Sequence, residues 1–272
     1  MSQEAKLKIK QKFVNEYRNG YPLLSKEAMS NLNDVTVEGT IVQLVDEKNR
    51  FIAKGYYGKQ NKGFGWVLSK EQNETFDQTF FEAKLSEAFK HRSHLFNDPE
   101  TTAFRVFNGE GDGIGGLTIE YFDGYYLIHW YNQGIYEFRD EIIRALQTVV
   151  EFKAIYQKKR FATAGKYIEE DDFVTGEQGQ FPIFVKENGV RFAIYLNEGA
   201  MVGVFLDQRE VRKAIRDKYA KGKTVLNTFS YTGAFSVFAA LGGAKKTTSV
   251  DLANRSLSKT IEQFSINDID YE

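Results

Sequence analysis

The sequence predicts a multidomain chain of mixed α/β and α+β class. A small β-barrel-like module comes first, then an α+β middle domain, then a parallel β-α-β end. Three observations predict this. Short β-rich runs broken by turn residues fill residues 1–73, the pattern of a small barrel. Strand runs mixed with apolar residues at helical spacing fill 74–195;. Residues 196–272 read strand, glycine turn, helix, strand, acid, helix, the order of βαβ units with right-handed crossovers.

Composition narrows the function classes. Hydrophobic residues at 42% and charged residues at 27% fit a globular chain rather than a disordered one;. The net charge of -1 means that any positive surface for nucleic acid is local;. The absence of cysteine excludes disulfides, thiolate metal sites and a thiol nucleophile from these residues;. His91, His94 and His129 are the only histidines, too few for a His-rich metal centre or a His-based triad, so no metal is expected. His91 and His94 are three apart, but no third ligand is evident. No run reaches the ~18 apolar residues of a membrane span, and the polar start Met1–Lys6 lacks the apolar core of a secretion signal;. A cytoplasmic location with no membrane partner is expected.

Along the first segment, Lys6, Lys8, Lys10 and Lys12 alternate with Leu7 and Ile9, predicting a strand with one basic face. That face is a candidate for RNA phosphates; the alternative is a solvated edge strand guarded by lysine. Val35–Val45 and Arg50–Tyr57 follow as strands. Phe76, Phe80, Leu85 and Phe89 predict a helix within 70–98. Thr118–Phe122 and Tyr125–Tyr131 flank Asp123-Gly124, a hairpin whose turn tolerates positive φ. Glu137–Val150 is amphipathic, with Phe138, Ile142, Ala145, Leu146 and Val149 on one face;. Gly109–Gly116 lacks a following Gly-Lys-Ser/Thr, and Glu110 and Asp112 would repel phosphate, so a turn is expected there. Lys158-Lys159-Arg160 reads equally as an RNA contact or a solvated run.

In the last segment Asp207-Gln208-Arg209-Glu210 resembles a capping box;. Val211, Ala214, Ile215 and Tyr219 are expected to form the buried stripe of its helix. Thr224–Phe229 and Thr247–Val250 read as strands around the helix Ala234–Leu241, and Leu257, Ile261 and Phe264 mark a final helix. Ser230-Tyr231-Thr232-Gly233 sits at the carboxyl end of the first strand, and Asp251 at the end of the second, 18 residues after Gly233. Ligands of parallel sheets bind at these ends, and an acid there accepts hydrogen bonds from a ribose diol. The loop lacks the full G-x-G-x-x-G pattern. That weakens a dinucleotide reading and suits an adenosyl ligand without phosphates, such as S-adenosylmethionine (SAM). The alternative is a tight β–α turn with Asp251 merely capping the next helix. The candidate pocket residues are Phe229, Ser230, Tyr231, Thr232, Gly233, Ala234, Phe235, Asp251 and Leu252, joined by Phe205, Gln208 and Arg209. For the last three, capping and packing of their own helix is the competing role.

Val225–Ser236 resembles the first cofactor motif of the large-subunit ribosomal RNA methyltransferases of the cytosine-C5 type. Ser249-Val250-Asp251 is similar to the family's second motif. Gly203–Arg209 resembles the segment just upstream of the methyltransferase core, and Arg105–Ile119 a middle-domain signature. The resemblance implies an N-terminal PUA domain, a central α+β domain, a Rossmann-like methyltransferase domain, SAM as cofactor and RNA, 23S rRNA, as partner. It also implies a homodimer.

The chemistry of the resemblance is missing from these residues. Methylation at cytosine C5 needs covalent attack at C6, for which a cysteine thiolate is the usual nucleophile. Pro22, Pro99 and Pro182 are the only prolines, so no Asp-Pro-Pro motif exists. Family members carry both further along the chain. No catalytic residue is therefore assigned. Two parallel strands leave apolar faces open, so the sequence predicts an incomplete chain, roughly a hundred residues short of a full doubly wound domain. Two competing functions are a non-enzymatic RNA-binding protein with a remnant Rossmann scaffold and a dinucleotide-dependent oxidoreductase.

Overall fold

A computed structural model of the chain describes residues 4–60, 62–161, 172–199 and 202–271. The chain divides into two compact units. One comprises residues 1–92, 106–120 and 126–176; the other comprises 93–105, 121–125 and 177–272.

The first unit opens with a four-stranded sheet of order β1 (Glu4–Lys8), β2 (Ile41–Val45), β3 (Phe51–Tyr57) and β4 (Gly65–Ser69). β1 runs parallel to β2, and the other pairs are antiparallel. Leu7 and Ile9 are fully buried in a core shared with Val14, Tyr17, Leu24 and Leu44, which forces Lys6 and Lys8 outward. The four-lysine face is only half right. The strand stops at Lys8, because Val14 and Tyr17 must turn into the core on the short helix α1 (Val14–Arg18). Lys10 Nζ instead donates to the Glu27 carbonyl at 2.8 Å, and Lys12 lies in the 3-10 turn Gln11–Phe13, 4.7 Å from the Phe13 ring centroid. Residues 35–40, expected as strand, lie outside β2, after a 3-10 turn at Leu32–Asp34. Gly55 is required where β3 and β4 cross closely: a Cβ there would sit 2.0 Å from the Trp66 carbonyl oxygen.

Asp77 caps α2 (Gln78–His91), its carboxylate accepting from Phe80 N at 3.0 Å;. The short α3 (Ser93–Phe96) follows. A five-stranded sheet has the order β5 (Ala103–Asn108), β6 (Leu117–Phe122), β7 (Tyr125–Trp130), β8 (Ala154–Lys159) and β9 (Phe173–Gly176). The turn at Asp123 (φ 47°) and Gly124 (φ 91°) takes the left-handed form its sequence demands;. Asn132 caps α4 (Gln133–Tyr136), and α5 (Arg139–Val149) follows. α5 buries Ile142, Ala145 and Leu146, as its spacing predicts, and packs on α2. Phe76, Phe80, Phe81 and Phe138 form a ring cluster with centroids 4.9–6.4 Å apart. The basic run resolves into structure: Lys158 is 1% exposed and its ammonium lies 2.8 Å from Asp172. Beside it, Arg160 Nε lies 3.2 Å from His129 Nδ1, and His129 Nε2 lies 3.1 Å from Glu120.

In the second unit β10 (Ile183–Glu187) and β11 (Val190–Ile194) form an antiparallel hairpin, placed by the sequence reading in the middle segment. Its turn is Asn188 (φ 50°) and Gly189 (φ 81°), a two-residue hairpin signal that the reading passed over. α6 (Arg209–Ala214) continues into a π-turn at Ile215–Tyr219. The expected capping box does not form. Asp207 lies inside a 3-10 turn, Leu206–Gln208, the Gln208 cap makes no side-chain bond, and Glu210 pairs with Arg209 at 3.1 Å. The apolar stripe fails too: Val211 is 55% and Tyr219 67% exposed, while Arg212 is 1% exposed. The π-turn shifts the register, and Arg212 is drawn inward by Glu187, which it meets at 2.6 Å. β12 (Thr224–Thr228) and β13 (Lys246–Val250) pair in parallel, linked by α7 (Ala234–Leu241) and followed by α8 (Arg255–Ser265). One sheet face meets α7. Leu226 and Val250 lie on the other face and are exposed; Leu257, one of the residues that marked α8, is exposed as well.

Candidate functional site

The site forms where β12 and β13 end side by side. Asn227 of β12 donates to Ser236 Oγ of α7 at 3.0 Å, and Ser236 Oγ meets Ser249 Oγ of β13 at 2.7 Å. Ser236 is fully buried, so this relay pins the helix over both strands;. The loop between β12 and α7 is bent by left-handed residues: Phe229 (φ 56°), Tyr231 (φ 53°) and Gly233 (φ 79°). Two of these are aromatic, a conformation held only where surroundings over-determine it and characteristic of ligand sites.

Asp251 supplies much of that determination. Its Oδ2 accepts from Tyr231 N at 2.7 Å and its Oδ1 from Ala253 N at 2.9 Å. Backbone N–H groups of Ala253 and Tyr231 hold its pKa below the ordinary 3.8;. Ser230 N donates to the Val250 carbonyl at 3.0 Å, closing the loop onto β13.

The segment upstream of α6 is tied to the same loop. Gly203 N donates to Tyr231 Oη at 2.8 Å, Thr232 Oγ1 donates to the Gly203 carbonyl at 2.6 Å, and the Phe205 and Tyr231 rings lie 5.2 Å apart. Phe205 is held from behind by Arg212, which donates to its carbonyl at 2.7 Å. The structure thus brings together Ser230, Tyr231, Thr232, Gly233, Asp251 and Phe205. Ala234 and Phe235 begin α7, with Ala234 buried against it. Phe229 and Leu252 adjoin the loop but are 93% and 100% exposed, and Gln208 is exposed. Arg209 lies against Glu210 rather than the loop. Lys6, Lys8, Lys10 and Lys12 belong to the first unit, all exposed.

Sequence reasoning missed Arg212, Glu187 and Thr260, and it named Ser236 only as the last residue of the first motif. A Cβ on Gly233 would lie 2.6 Å from Thr260 Cγ2, so the turn is closed by a residue of α8. We expect Gly233→Ala to destabilise the chain by about 2 kcal/mol from left-handed strain and overpacking. Calorimetry should show the melting midpoint falling by roughly 5 °C; an unchanged midpoint would mean that α8 moves freely.

The arrangement fits an adenosyl group: a strand-end carboxylate aimed at the glycine turn, a loop backbone open to approach, and no phosphate cradle. Among the described residues no group of acids and histidines is arranged to hold a metal, and His91 and His94 lie on separate helices. No helix of the described residues is long and apolar enough to cross a membrane.

Fold and loop together define a class. Residues 7–70 match the PUA-like domain and residues 105–272 match the S-adenosylmethionine-dependent methyltransferase family, to which the chain belongs. It is 60% identical over 268 residues to YwbD of Bacillus subtilis (strain 168), whose name marks it provisionally as a ribosomal RNA large subunit methyltransferase; the match covers 98% of this chain and 68% of YwbD. It is 30% identical over 254 residues to ribosomal RNA large subunit methyltransferase I of Pseudoalteromonas translucida (strain TAC 125), covering 93% of this chain and 64% of that protein. The solved structure of SMU.776, a provisionally named methyltransferase complexed with SAH, superposes with a TM-score of 0.89 at 37% identity, covering 98% of this chain and 67% of that one. The chain spans about two thirds of the length of these relatives. Family membership favours neither the oxidoreductase nor the scaffold reading.

Proposed function

We propose that the protein transfers a methyl group from SAM to a base of large-subunit ribosomal RNA, 23S rRNA. The Asp251–Tyr231 lock beside the Gly233 turn carries the cofactor half of this reading. The names borne by the relatives support the RNA half. In this reading the three parts are a PUA-like domain at 1–73, a central α+β domain at 74–195 and the Rossmann-like domain from 196. Lys6 and Lys8 face RNA phosphates. The homodimer and the cytoplasmic location belong to the same reading. Sedimentation velocity at micromolar protein tests the first: a single monomer boundary removes the dimer.

When bound, SAM supplies an electrophilic methyl group. Asp251 takes the ribose hydroxyls while Tyr231 N keeps its carboxylate in place. Tyr231 and Thr232 fix the Gly203 segment, so that Phe205 walls the pocket. Phe229, Ala234, Phe235 and Leu252 would border the adenosyl group, Ser230 closes the loop, and Gln208 would reach from the upstream segment, where Arg209 lies against Glu210. With no cysteine in the sequence, none of these residues serves as a thiolate nucleophile.

Asp251→Ala should weaken SAM binding at least tenfold in calorimetric titration, the loss expected of a charged hydrogen-bond acceptor. Because the folded pKa lies below 3.8, the carboxylate stays ionised at every pH above that value. Wild-type SAM affinity should therefore show no Asp251-linked decline between about pH 5 and 8, and should fall only in stronger acid. Unchanged affinity in Asp251→Ala removes Asp251 from the site.

A further inference from the structure

A second cavity, in the first unit, has the chemistry of a nucleobase pocket. It opens between β4 and the glycine loop of the five-stranded sheet. Its volume is about 490 Å³, and its walls include Trp66, Thr118, Tyr131, Gln60, Asn108 and Glu110. That size lies within the ~300–1,000 Å³ typical of ligand pockets.

Two of its wall residues carry an unmet demand. Trp66 Nε1 and Thr118 Oγ1 are buried polar atoms without a hydrogen-bond partner. The residues themselves are only 9% and 8% exposed. An orphaned buried donor costs desolvation free energy that an incoming acceptor recovers. Both lie on strands, β4 and β6, so they are positioned by backbone pairing rather than by loop drift.

The glycine loop is also held in place. Tyr56 Oη donates to the Gly115 carbonyl at 2.8 Å, Asn132 Nδ2 donates to Tyr56 Oη at 3.1 Å, and Tyr131 N donates to the Gly116 carbonyl at 2.9 Å. Arg92 clamps Asp112 with bonds of 3.1 and 2.8 Å, and Asp112 accepts from Asn108 N at 2.6 Å. The Trp66 ring lies so close to Gly115 that a Cβ there would be 2.1 Å away. The cavity is preformed.

Charge decides what enters. Glu110 at the wall repels a phosphate but accepts from an exocyclic amine. Gln60 offers an amide with both donors and an acceptor. Tyr131, 41% exposed, presents a ring for stacking. The exposed Lys59 and Lys62 lie close in sequence to Gln60, a source of positive charge for phosphates beside the base. Aromatic stacking combined with hydrogen bonds to base edges is how single-stranded RNA is read.

We propose that this cavity binds one unstacked base of single-stranded RNA. The base stacks on Tyr131, its edge meets Trp66 Nε1 and Thr118 Oγ1, and an exocyclic amine meets Glu110. This rests on the RNA substrate of the proposed function and adds a place where a base is held.

Tryptophan fluorescence reads it directly, since Trp130 is wholly buried and Trp66 is the other tryptophan of the two. The probes are a short single-stranded RNA and an abasic ribose-phosphate oligomer of equal length. The wild-type chain should bind the base-bearing oligomer about tenfold more tightly and show quenched Trp66 emission. Tyr131→Ala and the near-isosteric Thr118→Val should each remove most of that preference, while leaving abasic binding and SAM affinity unchanged. Equal binding of both oligomers by the wild type, or variants that behave as wild type, overturns the pocket and leaves the RNA substrate standing. Failure of the wild type to bind either oligomer overturns both.

Discussion

Arg212→Ala should lower stability by about 3–5 kcal/mol, the cost of leaving one partner of a buried ion pair alone, and the melting midpoint by on the order of 10 °C. Arg212 and Glu187 are each only 1% exposed, joined by two bonds of 2.7 and 2.6 Å. Burial pushes the Glu187 pKa above its ordinary value even with Arg212 in place. Removing the guanidinium strips the carboxylate of its counter-charge, frees the Phe205 carbonyl and empties the space 5.6 Å over the Phe235 ring. The same variant should therefore bind SAM more weakly, because Phe205 loses its tether while Asp251 is untouched. Chemical denaturation and calorimetric titration measure the two effects. A stability loss under about 1 kcal/mol would show that water reaches Glu187, as in a surface pair.

The pair Lys158–Asp172 gives the second large effect, and its two halves differ in sign with pH. Burial raises the Asp172 pKa above 3.8 and lowers that of Lys158 below 10.5. Lys158→Met should cost about 3–5 kcal/mol at neutral pH. In that variant the folded state holds a proton on Asp172 more tightly than the unfolded chain does. Stability therefore falls as pH rises from about 4 through the raised pKa, and the deficit shrinks in acid. Asp172→Asn leaves a buried ammonium, and here the unfolded chain binds the proton more tightly. Its stability rises with pH between the lowered pKa of Lys158 and 10.5;. Urea melts of both variants across pH 5–9 test this, and parallel profiles would rule out the pair as the source of the effect.

What was legible in the sequence was local. The β12–α7–β13 unit announces itself through strand, glycine turn and strand-end acid within a span of under thirty residues, and the structure pairs those strands in parallel. Asp251 was found because a position at a strand end is determined by the strand itself. The hairpin at Asn188-Gly189 was equally legible, from a residue pair that favours a left-handed two-residue turn, and was overlooked;.

Other features lie beyond local pattern. The α6 stripe was misread because Arg212 turns inward to Glu187, which leaves Val211 outward, and because the π-turn after Ala214 shifts Tyr219 off the face that counting by 3.6 gives it;. The lysine face was over-extended because nothing in Lys10 or Lys12 says that Val14 and Tyr17 will take the chain out of the sheet.

The sequence by itself determined the order of elements, the glycine turn with its acid and the absence of a thiol, because these depend on residue type and spacing along one stretch of chain. Tertiary structure alone decided that Glu187 would lie against Arg212, Asp172 against Lys158, and Trp66 near Gly115 and Gly116 with its indole nitrogen unpaired. Those partners stand 14 to 50 residues apart. Whether a charge or a donor so placed is matched or orphaned depends on which segments fold together, which no local periodicity encodes.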